Sequence, residues 1–329
     1  MNRIVAVLGR GLVPADTPLL RADDLGAVRG DGVFETMHVR AGAPWLLDEH
    51  LARMINSADR LDLDLPPVTD MIELARQACS AWPHTEEGAL RLVCTRGPED
   101  GGPPTVYATL APVSPKLKTY RAGGVAVATL PLGVTTHART PAPWLLGGVK
   151  SVSYAMNMAC QRWAVRNGYD DALWLSTDGY ALEAPTSTLL WQVGGELLTT
   201  PTSTGVLAGT TARFVLDRAG DVGLTAGEKL VTPSELLGSQ GCGWRPRCGG
   251  WSRSRRSTGR RCLPRRRPAR CRILSATPSR AGYSFTRHAA VRNRRAGLDR
   301  TVAAGQRPAR PSGGPAVRQP GRQAVWRNR

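Results

Sequence analysis

The sequence predicts an α+β fold in two domains, followed by a tail of another kind. Three observations predict it. Strand-like and helix-like stretches follow one another up to about residue 240 without the regular β-α-β repeat of a doubly wound sheet or a barrel. A polar stretch with prolines over 112–122 separates two such groups and reads as an interdomain link. Beyond Gln240 the periodicity stops and the composition changes. The organisation expected is a small α/β domain over 1–115, a linker over 116–124, a larger domain over 125–240, and a tail over 241–329.

The elements follow in order. Ile4 to Leu8 reads as a strand. Val33 to Val39 alternates, and Ala41-Gly42-Ala43-Pro44 turns the chain into Trp45-Leu46-Leu47, as in a hairpin. Asp48 is placed to cap a helix in which Leu51, Met54, Ile55, Ala58 and Leu61 fall on one face. His50 and Arg53, three apart, share another. Thr69 starts a second helix to about Trp82, where Pro83 helps stop it. Ala89–Cys94 and Val106–Leu110 are expected strands across a Gly/Pro-rich loop. Val125–Leu130 is a strand and Val152–Asn167 a helix. Leu173–Leu175 and Tyr180–Glu183 flank Asp178-Gly179, a strong hairpin signal. Leu189–Val193 and Glu196–Thr199 pair around Gly194-Gly195, and Val206–Arg218 reads as a helix. No Gly-x-Gly-x-x-Gly opens a helix, so a dinucleotide-binding fold is disfavoured.

The net charge of +18 is unevenly spread. Residues 241–329 hold 24 arginines, no lysine and one acid, Asp299, a net +23. The first 240 residues hold 20 basic and 25 acidic groups, a net −5. A stretch so poor in aliphatic residues and so rich in one charge cannot bury enough apolar surface to fold alone, and disorder or misfolding is expected for it. Two readings of this tail compete. It is either an arginine-rich segment that binds nucleic acid non-specifically through phosphates, or a stretch read out of frame. Arginine without lysine, together with Trp244, Trp251, Trp326 and four cysteines, favours the altered frame. The tail cysteines make no Cys-x-x-Cys pair, so no zinc site is expected. Cys79, Cys94 and Cys160 sit inside apolar patterns and read as buried thiols. No apolar run reaches the roughly 18 residues of a membrane span, and the start does not resemble a signal peptide. A cytoplasmic protein is expected.

The chemistry lies in three places. Lys150 follows Gly147-Gly148-Val149, Glu183 closes a strand-like run, and Gly209-Thr210-Thr211 opens a helical one. An amine able to form a Schiff base, a carboxylate for a pyridinium nitrogen and backbone donors for a phosphate are together the parts of a pyridoxal phosphate (PLP) site. Arg53 could pair with a phosphate bidentately. Each residue alone is as readily a surface lysine, a solvated strand end, a helix cap and a surface arginine. Their order and spacing carry the reading.

Those blocks resemble a known family. Arg29-Gly30-Asp31-Gly32-Val33-Phe34-Glu35, Glu49-His50-Leu51-Ala52-Arg53-Met54, Arg96-Gly97, Lys150 to Asn157, Glu183-Ala184-Pro185-Thr186-Ser187 and Gly205 to Thr211 are similar to the class IV, fold type IV PLP enzymes. These include branched-chain aminotransferase, D-amino acid aminotransferase and aminodeoxychorismate lyase. The resemblance covers about residues 1–240, and it implies a homodimer with the site near the interface. It implies that Lys150 holds the cofactor and shuttles protons, and that Glu183 meets the pyridine nitrogen. Arg53 with Gly209, Thr210 and Thr211 holds the phosphate, and Tyr154 lies near the phenolic oxygen. Arg96 and Phe34 are candidates for contact with a small amino substrate, Arg96 for its carboxylate. The run Gly32 to Thr36 and the compact Arg96-Gly97-Pro98-Glu99 favour the lyase, which releases pyruvate to form 4-aminobenzoate in folate synthesis. Transamination of D-amino or branched-chain acids is the alternative. The last strands of the family are expected just past Gly238, where Gln240-Gly241-Cys242-Gly243 stands instead, so loss of activity in this chain is a further expectation.

Overall fold

The computed structural model describes residues 3–239 and the strand backbones of 241–246, 272–279 and 282–286. The described residues fall in one compact unit. Its first half is built on β1 (Ile4–Val7), β2 (Gly11–Val13), β3 (Gly32–Arg40), β4 (Ala43–Pro44), β5 (Gly88–Thr95) and β6 (Thr105–Pro112). These form one antiparallel sheet in the order β2-β1-β6-β5-β3-β4. A short helix α1 (Leu25–Val28) precedes β3, and α2 (Leu47–Asp59) and α3 (Val68–Ser80) cover one face. Strand alternation sends Val33, Met37 and Val39 toward that face, where they pack with Leu51, Met54, Leu74 and Trp82. Fully burying each such side chain contributes roughly 1.5–3 kcal/mol.

Helix α2 does not use Asp48 as its cap. Leu46 occupies the N-cap in the left-handed region (φ 58°, ψ 43°) with no side-chain cap, and Asp48 lies inside the first turn. There its negative charge still complements the helix dipole. The expected linker is helical. Residues Pro115–Gly123 form a helix, α4, with Pro115 in its first turn and Gly124 closing it at φ 75°. Proline is tolerated there because its missing N–H would have no intrahelical partner, and glycine ends helices without a Cβ clash.

The second half holds two four-stranded sheets. One has the order β11-β10-β9-β12, from β9 (Ser187–Val193), β10 (Glu196–Thr199), β11 (Thr225–Glu228) and β12 (Gly241–Pro246). The other has the order β14-β13-β7-β8, from β7 (Ala126–Pro131), β8 (Asp171–Leu175), β13 (Arg272–Ser279) and β14 (Gly282–Thr286). Strands β7 and β8 are parallel and joined through helix α5 (Ala155–Arg166), a single β-α-β crossover among the described residues and not a regular repeat. The expected 180–183 strand keeps its ladder without strand status: Leu182 N–H donates to Trp174 O and Trp174 N–H to Glu183 O, each at 2.9 Å. The helix expected over 206–218 is shorter, α6 (Thr210–Leu216), and a last helix α7 (Pro233–Gly238) carries a Thr232/Glu235 capping box. Leu173, Leu189, Trp191, Leu198 and Leu236 fill the core here.

Strands β12, β13 and β14 lie in the segment expected to stay outside the fold. Their backbones pair with β9, with β7 and with each other. The physical reason is that a strand edge offers N–H and C=O groups to any backbone, whatever side chains it carries. The rest of the tail, with its expected disorder and nucleic-acid binding, lies outside the described residues.

Candidate active site

The site lies where the two halves meet, and β3 sets it up. Its alternation sends Glu35 toward α2 and the next side inward, Phe34, to the opposite face. The segment before α5 runs beside the start of β3: Phe34 N–H donates to Lys150 O at 3.1 Å, Val152 N–H donates to Gly32 O at 2.9 Å, and Val33 bridges Ser151. The helix expected from Val152 therefore starts only at Ala155, because these residues are used as a short extra strand.

This pairing buries Lys150 to 1 % exposure. Its Nζ lies 3.4 Å from the centroid of the Phe34 ring and 5.4 Å from that of Tyr154. The two rings meet edge to face at 5.0 Å. Aromatic faces hold an ammonium group by their quadrupole while keeping water away. Tyr154 also lines a cavity of about 420 Å³, with Arg53, Arg139, Glu183, Ser187, Gly209, Thr210 and Thr211 around it. That volume suits a small-molecule ligand.

On the other face of β3 Glu35 is fully buried. Its carboxylate accepts from Arg53 Nε at 2.7 Å, Arg53 Nη2 at 2.6 Å and His50 Nδ1 at 2.7 Å. Burial opposes its charge, but the positive charge of Arg53 and the hydrogen bonds from His50 and Arg53 outweigh this. They hold the carboxyl far below the usual range. Burial pushes His50 below its ordinary value, against the pull of Glu35. A neutral imidazole that gives its Nδ1 proton to Glu35 leaves Nε2 as acceptor, and Thr210 Oγ1 lies 3.1 Å from it. Arg53 Nη1 donates to Ala208 O at 2.9 Å. One buried carboxylate thus grips both ends of the 208–210 segment, through Arg53 and through His50. Three of the five N–H donors of a guanidinium are spent on Glu35 and Ala208, and Nη2 also lies 3.5 Å from His50 Nδ1.

Glu183 enters from the second half. Its Oε2 accepts from Leu207 N–H at 3.1 Å, and Oε1 lies 3.6 Å from Arg139 Nη1. Arg139 escaped the sequence reading because it sits in an irregular stretch without periodicity, and Ser187, which opens β9, was read only as part of the block after Glu183. Both line the cavity, and Arg139 Nε, Arg139 Nη2 and Ser187 Oγ are buried without a hydrogen-bond partner among the described residues. Buried polar atoms of this kind ask for a polar ligand. Together with an amine, a carboxylate and an arginine beside backbone N–H groups, they fit PLP.

Lys150, Tyr154, Glu183, Arg53, Gly209, Thr210 and Thr211 therefore come together, with Phe34 beneath the lysine. Arg96 does not join them. Its Nε and Nη2 donate to Asp31 at 2.7 and 3.2 Å, and its remaining bonds go to Leu61 O at 2.6 Å and Asp62 O at 2.9 Å. These contacts tie β5 to the end of α2 and use the guanidinium structurally. A different arginine stands by the Phe34 ring. Arg91 faces Thr36 in the sheet, and its guanidinium carbon lies 5.7 Å from the same Phe34 ring that carries Lys150 Nζ. The strand pattern contained it, but its face is readable only once the β3–β5 register is known.

The three thiols are inert by burial, which pushes Cys79 to about 11, Cys94 to about 12 and Cys160 to about 11. Among the described residues no cluster of metal-ligating side chains occurs, and no helix is long and apolar enough to cross a membrane.

A carboxylate and an anion cup around one cavity, with a buried lysine beside the Tyr154 that lines it, define a PLP-dependent enzyme. The amino-transferase class IV family profile matches residues 32–242, and the chain belongs to that family. It is 40 % identical over 248 residues to the bifunctional aminodeoxychorismate lyase / D-amino acid transaminase of Mycobacterium tuberculosis, covering 72 % of this chain and 86 % of that one. Among solved structures it resembles the PLP-bound form of a hypothetical aminotransferase from Mycobacterium tuberculosis. There the TM-score is 0.72 and the identity 38 %, over 75 % of this chain and 88 % of the other. A fold IV-transaminase from Curtobacterium pusillum is similar at 33 % identity and a TM-score of 0.71, over 75 % and 89 %.

Proposed function

We propose that this enzyme is an aminodeoxychorismate lyase, which releases pyruvate and leaves 4-aminobenzoate. The observation that carries the reaction type is the buried Lys150 on its aromatic seat beside the cavity. The substrate reading rests on the relative from Mycobacterium tuberculosis, whose name states the lyase activity. That name also carries D-amino acid transamination, and the Curtobacterium pusillum neighbour is a transaminase, so transamination is the second reading.

When bound, PLP supplies an electron sink for charge developing at the carbon that bears the substrate amine. The protein does the rest. Lys150 Nζ is the base placed to take a proton from that carbon and return it. Glu183 would meet the pyridine nitrogen. Arg53, Thr210 and Thr211 would hold the phosphate by guanidinium and backbone N–H groups. Phe34 and Tyr154 exclude water around the amine. Arg91 replaces Arg96 as the candidate for a substrate carboxylate. A homodimer in the cytoplasm completes this reading.

The test has two stages. Purified protein with PLP should show a visible absorbance band that borohydride bleaches, with the label on Lys150. Supplied with aminodeoxychorismate, it should then release 4-aminobenzoate and pyruvate. Turnover of D-alanine that requires 2-oxoglutarate, with no 4-aminobenzoate formed, would replace the lyase reading with the second one.

A further inference from the structure

Arg139 is the least explained charge at the site. It lies in the irregular stretch between β7 and α5, and its side chain is only 12 % exposed. Two glycine backbones pin its stem. A Cβ added at Gly147 or at Gly205 would come within 2.8 Å of Arg139 Cβ. The guanidinium is therefore held in place, with Nη1 3.6 Å from Glu183 Oε1, while the other Glu183 oxygen takes the Leu207 N–H at 3.1 Å. Neither contact touches Lys150 or the 208–210 segment. Arg139 acts on Glu183.

We propose that Arg139 is a positioning residue that keeps negative charge on Glu183, so that the proton between Glu183 and the cofactor's pyridine nitrogen resides on the nitrogen. The proposal rests on the reading that Glu183 faces that nitrogen. A proton in such a contact has two places to sit. On the nitrogen it makes an ion pair, and on the carboxylate oxygen a neutral pair. Away from water the neutral pair gains, because neither partner has to be desolvated as an ion. A fixed guanidinium interacts favourably with the carboxylate form alone. Its presence 3.6 Å away tips the balance back to the protonated ring, the form that draws electrons most strongly.

The test is nitrogen-15 NMR of the full-length holoenzyme, loaded with PLP labelled at the ring nitrogen, whose chemical shift separates protonated from unprotonated pyridine. The wild type is expected at the protonated position. R139M and R139Q are expected at the unprotonated position at the same pH, with PLP still bound by absorbance, and with kcat lowered more than KM is changed. R139K keeps the charge and is expected to keep the protonated signal. A purely structural role would lower the melting temperature and leave the shift where it was, which overturns the proposal. Should R139M not retain PLP, R139Q, closer in shape, decides. Loss of the protonated signal in R139K would also overturn the charge argument. An unprotonated ring in the wild type would show instead that Glu183 does not serve the nitrogen, and the proposal would fall with that assignment.

Discussion

Replacing Glu35 by glutamine tests the anchor beneath the phosphate cup. The carboxylate accepts three hydrogen bonds, two from Arg53 and one from His50, and is fully buried. Glutamine keeps the shape but offers one acceptor oxygen and an N–H₂ group that meets other donors. Breaking a buried ion pair from one side costs about 3–5 kcal/mol, because the remaining charge is left uncompensated. Against a total stability of roughly 5–15 kcal/mol the loss is large. At about 2–4 °C per kcal/mol for a chain of this order, Tm should fall by roughly 6–20 °C. The sign of the pH dependence follows from the lowered carboxyl of Glu35. A carboxylate held below its unfolded value of 4.5 contributes stability that is fully present above that value and is lost as pH falls through the acidic range beneath it. Thermal unfolding of wild type and E35Q from pH 7 down to 3 should therefore show a wide gap that narrows below about pH 4.5. A gap under about 1 kcal/mol at pH 7, as for an exposed pair, or one that does not narrow in acid, would refute the argument.

Two other outcomes separate structural from functional roles nearby. R96A should lower Tm, because it breaks the Asp31 pair and the bonds to Leu61 and Asp62, while R91A, at an exposed position on β5, should leave the stability within about 0.5 kcal/mol and raise KM, read by thermal unfolding and steady-state kinetics. Gly205→Ala should destabilise by at least about 1–2 kcal/mol in urea unfolding, because residue 205 has φ 75° and its new Cβ would meet Arg139 at 2.8 Å; unchanged stability would mean that Arg139 is not pinned.

What was legible in the sequence was local. The Asp178-Gly179 turn, the apolar face of α2 and the paired strands around Gly194-Gly195 each carry their signal within a few residues, and all three are in the structure. Lys150, Glu183 and Thr210 were legible as an ordered set. What was not legible depends on distance. Arg96 finds its partners 34, 35 and 65 residues away, and nothing beside it distinguishes a substrate arginine from a structural one. Arg139 and Ser187 gain meaning only from segments that fold over them. Proline around 112–122 reads as a break from sequence alone, but at Pro115 it opens a helix. The pairing of tail segments with β9 and β7 is a property of backbone edges, which no side-chain pattern announces.

The strip that carries Lys150 is hydrogen-bonded to β3 on one side and continues into α5 on the other. The amine is therefore fastened to the sheet of the first half although its sequence belongs to the second. A hinge that parted the two halves would have to tear these bonds and strip the lysine from its aromatic seat. Entry and exit of small molecules must then proceed by rearrangement of side chains and short loops around the cavity mouth, and the two halves should exchange their buried amide protons as a single cooperative block.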